Sequence, residues 1–300
     1  MQALFVNILL FNLKYPFMQP NTFLKQLLFS TVRVVADTDI PNKKSIGTGF
    51  LVAKKINDTQ QQIFLITNKH VIAKADNTGK IIGKFNKGFF SFIKNENGNP
   101  KLGDSVKIDV NNLTDMFLQH PDESVDLAIC NISDLYTQLT KNLHQNIFIR
   151  TISLEMIPSE SETFDAIEDV LFVGYPEGIF DQKNHLPIMR KGITASPFEI
   201  DFNGSKKFII DAQVFPGSSG SPVFIKEQNM KNGTLRLGVE NYFFVGIISK
   251  VFQRNQVGNF IESVAPTSQN GEFSVQQMIG LGVCEKSNQI LDLINLINKK

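Results

Sequence analysis

Phe215-Pro216-Gly217-Ser218-Ser219-Gly220-Ser221-Pro222-Val223-Phe224 is the stretch on which the reading of this chain turns. Two glycines bracket a pair of serines, apolar residues close both ends, and Pro216 and Pro222 fix φ on either side. Glycine lets a backbone turn where a Cβ would clash and lets it approach a ligand closely. A tight loop of this kind aims successive N–H groups at one point, which is what an anion or a developing oxyanion requires. On that reading Ser219 is a nucleophile and the N–H groups of Gly217 and Ser219 form its oxyanion hole. The plainer reading is a Gly/Ser turn between two strands. The rest of the chain decides between them.

The 300 residues allow one or two domains, or one long β-rich domain. With 42% hydrophobic and 20% charged residues the chain has material for a substantial core. Its net charge of +1 and lack of a long basic run give no footprint for nucleic acid or an anionic membrane. The aromatic content is lopsided, 26 Phe against 4 Tyr and no Trp, and reads as core. Cys130 and Cys284 can form at most one bridge and stand in no metal-binding spacing, so they read as buried free thiols. No apolar run is long enough to cross a bilayer. Ala3 to Phe11 is apolar enough for a signal-peptide core, yet no Lys or Arg precedes it and no small-x-small site follows before Lys14. Met18 offers a second start. The expectation is a cytoplasmic protein, with secretion as the alternative and the oligomeric state open.

From Asn21, a potential cap, Leu24, Leu27 and Leu28 share a helical face. Thr31 to Ala36 reads as a strand, Asp37 to Lys44 as a polar loop, and Gly47 to Val52 as a second strand. A hairpin through Asn57-Asp58 leads to Gln62 to Thr67, which hands over to a short turn bearing His70. Lys74 to Lys107 has the composition of hairpins with solvated tips, and His120 and Asp122 are assigned to solvent. Val125 to Cys130 is an apolar strand with Asp126 near its start, an acid that is costly to desolvate without a cationic or donating partner. Strands follow at Leu171 to Gly174, Ile188 to Ala195, Phe208 to Ala212, Val223 to Ile225 and Phe243 to Ser249, with at least one more within Glu272 to Cys284. Ser287 to Lys300 closes the chain as a helix on the face Ile290, Leu293, Ile294, Ile297, with Lys299 and Lys300 suiting its C-terminal dipole. No phosphate-binding glycine loop, His/Cys metal cluster or repeat is present, so no metal or cofactor is expected. Many short strands with helices only at the ends predict an all-β fold.

The candidate groups run His70, Asp126, Ser219. An α/β-hydrolase would place Ser first, inside G-x-S-x-G, and alternate strands with helices. Here Ser comes last, as in the chymotrypsin order. Thr67-Asn68-Lys69-His70, Asp126-Leu127-Ala128-Ile129 and Pro216 to Pro222 resemble the three signatures of trypsin-like (chymotrypsin-fold) serine peptidases, most closely their bacterial, disulfide-poor branch. Gly47-Thr48-Gly49-Phe50 and Val173-Gly174-Tyr175-Pro176 are also similar to that branch, so the likeness runs from about Thr31 to Cys284.

The resemblance implies two antiparallel six-stranded β-barrels with the site between them. Residues 1–30 would be an N-terminal extension and helix, 31–150 the first barrel with His70 and Asp126, 151–287 the second with Ser219, and 288–300 a C-terminal helix. It implies a protein or peptide substrate, no nucleic-acid or membrane partner, and Ser219, His70 and Asp126 as catalytic triad with Gly217 and Ser219 as oxyanion hole. Gly246 to Ser249 resembles the strand that pairs with substrate, with Ser249 supporting Asp126. Gln213 would lie at the base of the primary pocket and Val251 at its wall, which favours small uncharged residues there. The chain departs from the family in carrying Ser218 where an Asp usually precedes the nucleophile, Ser221 for the second Gly, and no activation-type start. A non-catalytic peptide-binding module on the same fold, or an esterase using the same triad, are the alternatives.

Overall fold

A computed structural model describes residues 18–58, 60–76, 79–139, 146–227, 230–231, 234–235, 241–259 and 272–297. Residues 1–17, with the apolar stretch from Ala3, and Lys299 and Lys300 lie outside them. The strands of the first half are β1 (Thr31–Asp37), β2 (Lys44–Lys55), β3 (Gln61–Thr67), β4 (Ala73–Ala75), β5 (Ile81–Lys84), β6 (Lys87–Glu96), β7 (Asn99–Asn111), β8 (Leu118–Gln119), β9 (Ala128–Asn131) and β10 (Ile152–Ser153). Those of the second are β11 (Asp169–Gly174), β12 (Ile188–Thr194), β13 (Lys207–Asp211), β14 (Pro222–Lys226), β15 (Met230–Lys231), β16 (Thr234–Leu235), β17 (Tyr242–Asn259) and β18 (Glu272–Lys286). Four short helices, α1 (Phe23–Leu27), α2 (Lys69–Ile72), α3 (Ser133–Thr137) and α4 (Gln289–Ile297), complete the described regular elements apart from single 3-10 turns. Among the described residues no helix is long and apolar enough to cross a membrane.

The second half closes into a six-stranded barrel in the order β11-β12-β13-β18-β17-β14. The first half does not match the expectation of a second closed barrel. It is an eight-stranded sheet running β7-β6-β1-β2-β3-β9-β8, with β10 paired parallel to β2. Closure requires the end strands to share a ladder. One end strand, β8, has two residues, and β4 and β5 pair only with each other, so among the described residues no ladder joins the two ends. The sheet still wraps a core of its own, built on alternate residues of β1 such as Val32 and Val34 with Leu65, Phe90 and Leu113.

The opposite faces of β2 and β3 supply a second core. Phe50, Val52, Phe64 and Ile66 meet Leu171, Val173, Phe224 and Phe244 of the barrel, and Leu27 of α1 with Ile290, Leu293 and Ile294 of α4 seal it. Phenylalanines carry this joint: Phe23 stands edge-on to Phe224, Phe224 lies 5.4 Å from Phe244, and Phe244 is edge-on to Phe50 at 5.4 Å. Rings in such arrangements gain a little beyond their buried area. The cap of α1 is the hydroxyl of Thr22, accepting from the Lys25 N–H at 3.4 Å, and not Asn21. The His120 assignment also fails. It is buried at 7% exposure, its Nδ1 accepts from the Asp122 N–H, and burial lowers its pKa.

Phe244→Ala should lower stability by about 3–5 kcal/mol, because it empties a ring position in the joint between the halves. Phe252→Ala, at an exposed position on β17, should stay within about 0.5 kcal/mol. Paired denaturant titrations measure both; equal effects would mean that the phenylalanine joint does not hold the halves together.

Candidate active site

Loop Phe215–Ser221 leaves the end of β13 and feeds β14. Gly217 and Gly220 have φ of +85° and +87°, conformations that favour glycine. A Cβ on Gly220 would sit 1.8 Å from the Thr48 carbonyl oxygen, and one on Gly217 2.4 Å from that of Tyr175. The two glycines of the decisive stretch are thus dictated by backbone packed against backbone. Within the loop, the Ser218 N–H donates to Phe215 O, Gly220 N–H to Ile248 O and Ser221 N–H to Ser218 O. Among the described residues the N–H groups of Gly217 and Ser219 donate to nothing. Two unspent donors, one of them the N–H of Ser219 itself, are what an oxyanion would use.

Thr48, in the Gly47-Thr48-Gly49 entry to β2, ties this loop to the first half. Its N–H donates to Ser219 O at 2.8 Å and its hydroxyl donates to Gly217 O at 3.0 Å. The same hydroxyl accepts from the Tyr175 N–H at 3.1 Å, and the Thr48 carbonyl accepts from the Thr67 hydroxyl at 2.8 Å. Thr67 ends β3, and His70 follows on α2.

His70 Nδ1 lies 2.6 Å from Asp126 Oδ2, and the His70 N–H donates to Asp126 Oδ1 at 3.3 Å. One carboxylate therefore holds both the ring and the backbone of the histidine, fixing its orientation and leaving Nε2 for other chemistry. Asp126 is 5% exposed and lies two residues ahead of β9. Burial works to raise its pKa; the charge and hydrogen bonds of His70 outweigh that and, with Lys250, hold it below the ordinary carboxylate value. Among the described residues no hydrogen bond joins Ser219 to His70, and catalytic contacts of this kind often tighten only with substrate bound.

The loop carrying Asp126 is braced from three sides by residues that sequence reasoning passed over. Asn68 Nδ2 donates to Asp126 O at 2.7 Å, the buried Lys69 donates through Nζ to Asp122 O at 2.9 Å, and Lys207 Nζ donates to Ser124 O at 2.8 Å. Lys207 also lies 3.4 Å from Oε1 of the enclosed Glu285, whose pKa burial raises. Asn68 and Lys69 adjoin His70 in sequence, which was a usable signal. Nothing local marks Lys207 or Glu285.

A cleft of about 530 Å³ brings together His70, Asp126, Ser249 and Val251. Ser249 sits where the β17–β18 register slips between Ile248 and Lys250, a bulge of the sort that re-aims a side chain beside a site. Its hydroxyl donates to Val283 O at 3.3 Å. Val251 lines the cleft and also leans on the barrel core. Gln213 is exposed and outside that cleft. Its carbonyl accepts from Arg190 Nη1 at 2.6 Å, while Arg190 Nη2 donates to the hydroxyl of the fully buried Ser218 at 2.5 Å. The guanidinium packs over the Phe172 ring, and burial lowers its pKa to about 10. Arg190 is the missed residue of greatest consequence, since it grips the position immediately before Ser219. Ser221, also fully buried, turns its hydroxyl toward that of Thr48 at 3.4 Å.

Cys130 and Cys284 are buried free thiols, with burial raising the first to about 11 and the second well above the ordinary thiol value, which removes them as nucleophiles near neutral pH. Among the described residues no group of three or more His, Cys, Asp or Glu is placed to hold a metal ion.

The family model for the trypsin-like peptidase domain matches residues 47–230. No curated protein matches the sequence. Among solved structures, the thermostable serine protease AL20 from an extremophilic microorganism is 12% identical, covering 91% of this chain and 98% of its own, with a TM-score of 0.47. The scabies mite inactivated protease paralogue S-I1 is 13% identical over 92% of this chain and 97% of its own, at 0.46. The active form of the Rv3671c protease from M. tuberculosis is 14% identical over 91% and 82%, at 0.39. With the peptidase-domain match spanning more than half of its length, the chain belongs to the trypsin-like peptidase domain family and is a serine peptidase of mostly β, chymotrypsin-like fold.

Proposed function

We propose that the chain is a serine endopeptidase working through Ser219, His70 and Asp126. The observation that carries this reading is the 2.6 Å contact between His70 Nδ1 and Asp126 Oδ2. With Nδ1–H committed to the carboxylate, Nε2 is the free base. It takes the Ser219 proton as Oγ attacks the scissile carbonyl carbon, and the Gly217 and Ser219 N–H groups receive the oxyanion. Collapse of the tetrahedral intermediate breaks the C–N bond, and His70 returns the proton to the leaving amine. Water then attacks the acyl-enzyme with His70 again as base, releasing the new carboxylate and restoring Ser219. Asp126 holds the imidazole tautomer and offsets the charge of the imidazolium.

Activation needs no new N-terminus on this reading. In secreted relatives an ammonium pairs with the Asp before the nucleophile. Here Ser218 occupies that position and the side chain of Arg190 supplies the cation. Specificity follows from Ser249 and Val251, which line the cleft: Val251 narrows its mouth for a small uncharged residue such as Ala, Val, Ser or Thr, and the Arg190 guanidinium held on the Gln213 carbonyl disfavours Lys and Arg.

Removing Ser219, His70 or Asp126 singly should cost about 10⁴-fold or more in kcat, with little further loss on combination, because the three act as a unit. Peptidase assays together with a fluorophosphonate probe read this, and wild-type activity in clean Ser219→Ala protein would overturn the assignment. The intact chain should react with the probe without prior cleavage, and Arg190→Met should lower kcat by about 10²-fold by loosening the loop. Reactivity that appears only after a cut between Thr31 and Ser45 would refute the Arg190 substitution for the ammonium. A proteome-derived peptide library should show cleavage after small uncharged residues; dominant cleavage after Phe, Tyr, Lys or Arg excludes the narrow pocket. Val251→Gly should then admit larger side chains, each added methylene shifting preference by about 1–3 kcal/mol at most.

A further inference from the structure

A second cavity, of about 250 Å³, shares no lining residue with the His70 cleft. It lies over β1, β6 and β7, walled by the rings of Phe29, Phe89, Phe148 and Phe180 and closed inside by Thr31 and Tyr175. Arg33, Lys107 and His185 also line it, and no Asp or Glu does.

Arg33 is the feature that calls for an account. Its guanidinium is half buried, lying 5.0 Å from the Phe180 ring centre and 5.9 Å from that of Phe89. Those contacts engage the group through its π-system, but an aromatic ring does not replace the acceptors that five N–H donors at its edge require. Its Nε is buried with no acceptor, and among the described residues no carboxylate, carbonyl or hydroxyl accepts from any of its nitrogens. Burial lowers its pKa, with the neighbouring Tyr175 working in the opposite direction. Lys107 Nζ lies 4.4 Å from the Phe89 ring centre and pairs with the exposed Asp109 at 2.7 Å. His185 is carried to the rim by a turn in which Asp181 accepts from the N–H groups of Lys183 and Asn184, and it stacks on Phe180.

We propose that this cavity is a binding site for a small apolar or aromatic monocarboxylate, with the carboxylate paired to the edge of Arg33 and the apolar body among the phenylalanine rings. A planar two-oxygen anion is the partner that a guanidinium fork fits. No acid lines the cavity to meet Arg33, the acid paired with Lys107 being the exposed Asp109 outside it, and the volume suits a short acyl chain or a single aromatic ring rather than a drug-sized ligand. The site is independent of hydrolysis at Ser219.

Isothermal titration calorimetry on the full chain, with octanoate and 3-phenylpropanoate as probes, tests this. Saturable one-to-one binding of at least one carboxylate is expected, with 1-octanol and octylamine much weaker. Arg33→Met keeps the stem volume while removing the charge, and should weaken binding by about tenfold or more. Without ligand the Arg33→Met protein should melt no lower than wild type, since an unpaired buried charge has been replaced by an apolar side chain. No saturable binding of either carboxylate at millimolar concentration overturns the proposal. So does octanol binding as tightly as octanoate to the wild-type protein, or equal octanoate affinity in Arg33→Met. Because wild-type binding is read as heat and not as turnover, failure here is distinct from failure of the peptidase assignment.

Discussion

Thr48 makes the contacts on which the geometry of this molecule depends. A single residue at the start of a β2 segment buried on both faces uses its N–H, its hydroxyl and its carbonyl on three different pieces of chain: Ser219 and Gly217 of the Phe215–Ser221 loop, Tyr175 after β11, and Thr67 just ahead of His70. Each contact is an ordinary hydrogen bond worth about 1 kcal/mol net. Together they fix the loop of one half against the histidine-bearing turn of the other. The glycines follow from this: with Thr48 O where it is, position 220 has no room for a Cβ. Flanking Thr48 with Gly47 and Gly49 extends the same logic, since both are packed against Val71 or Leu65 too closely for a side chain.

Hydrogen bonds of this kind set position but do not supply the force that presses the halves together. That comes from the second core, in which β2 and β3 serve two masters. Their alternation sends Leu51 and Leu65 into the first sheet's own core and Phe50, Val52, Phe64 and Ile66 into the joint with the barrel. A strand buried on both sides reads as an uninterrupted apolar run, which is how Phe50 to Ala53 and Ile63 to Ile66 stand in the sequence. Part of the phenylalanine content is placed here. Large flat groups fill a seam between two curved surfaces better than branched aliphatics, and the seam is where Phe23, Phe50, Phe224 and Phe244 meet.

What the sequence made legible was local. His70, Asp126 and Ser219 each sit in a short signature whose neighbours are the residues they need, and the order of the signatures separated this fold from the α/β-hydrolases. Strand runs such as Thr31 to Ala36 and Gln62 to Thr67 were visible because β-formers follow one another between turn residues. What stayed hidden was non-local. Closure of a sheet depends on which strands are too short to pair, and two-residue β8 carries no periodic signal. Arg190 looks like any polar residue on an edge of β12 until the fold sets it beneath Ser218. Buried Lys69 and one ring nitrogen of buried His120 find backbone partners, Asp122 O and Asp122 N–H, which composition does not reveal. The bulge at Ser249 likewise arises from the register between β17 and β18, not from the residues of either strand alone.

Arg190 and Arg33 show how far the same side chain can differ in what it implies. Both are half buried and both rest near phenylalanine rings, with the guanidinium carbon 4.6 Å from the Phe172 centre in one case and 5.0 Å from the Phe180 centre in the other. Stacking therefore does not distinguish them. Acceptors do. The Nε of each is buried without an acceptor, but Arg190 spends both Nη groups, on the Gln213 carbonyl and the Ser218 hydroxyl, so the protein solvates its charge in part and its job is to hold a loop. Arg33 spends none of its edge on the described protein and faces a cavity instead. The ring contacts offset part of the cost of burying this cation, and an anion at its edge would offset more. An arginine whose Nη groups are held by the protein acts as scaffold, whereas one that meets no described acceptor, at the wall of an aromatic cavity lined by no acid, has the chemistry to bind an anion.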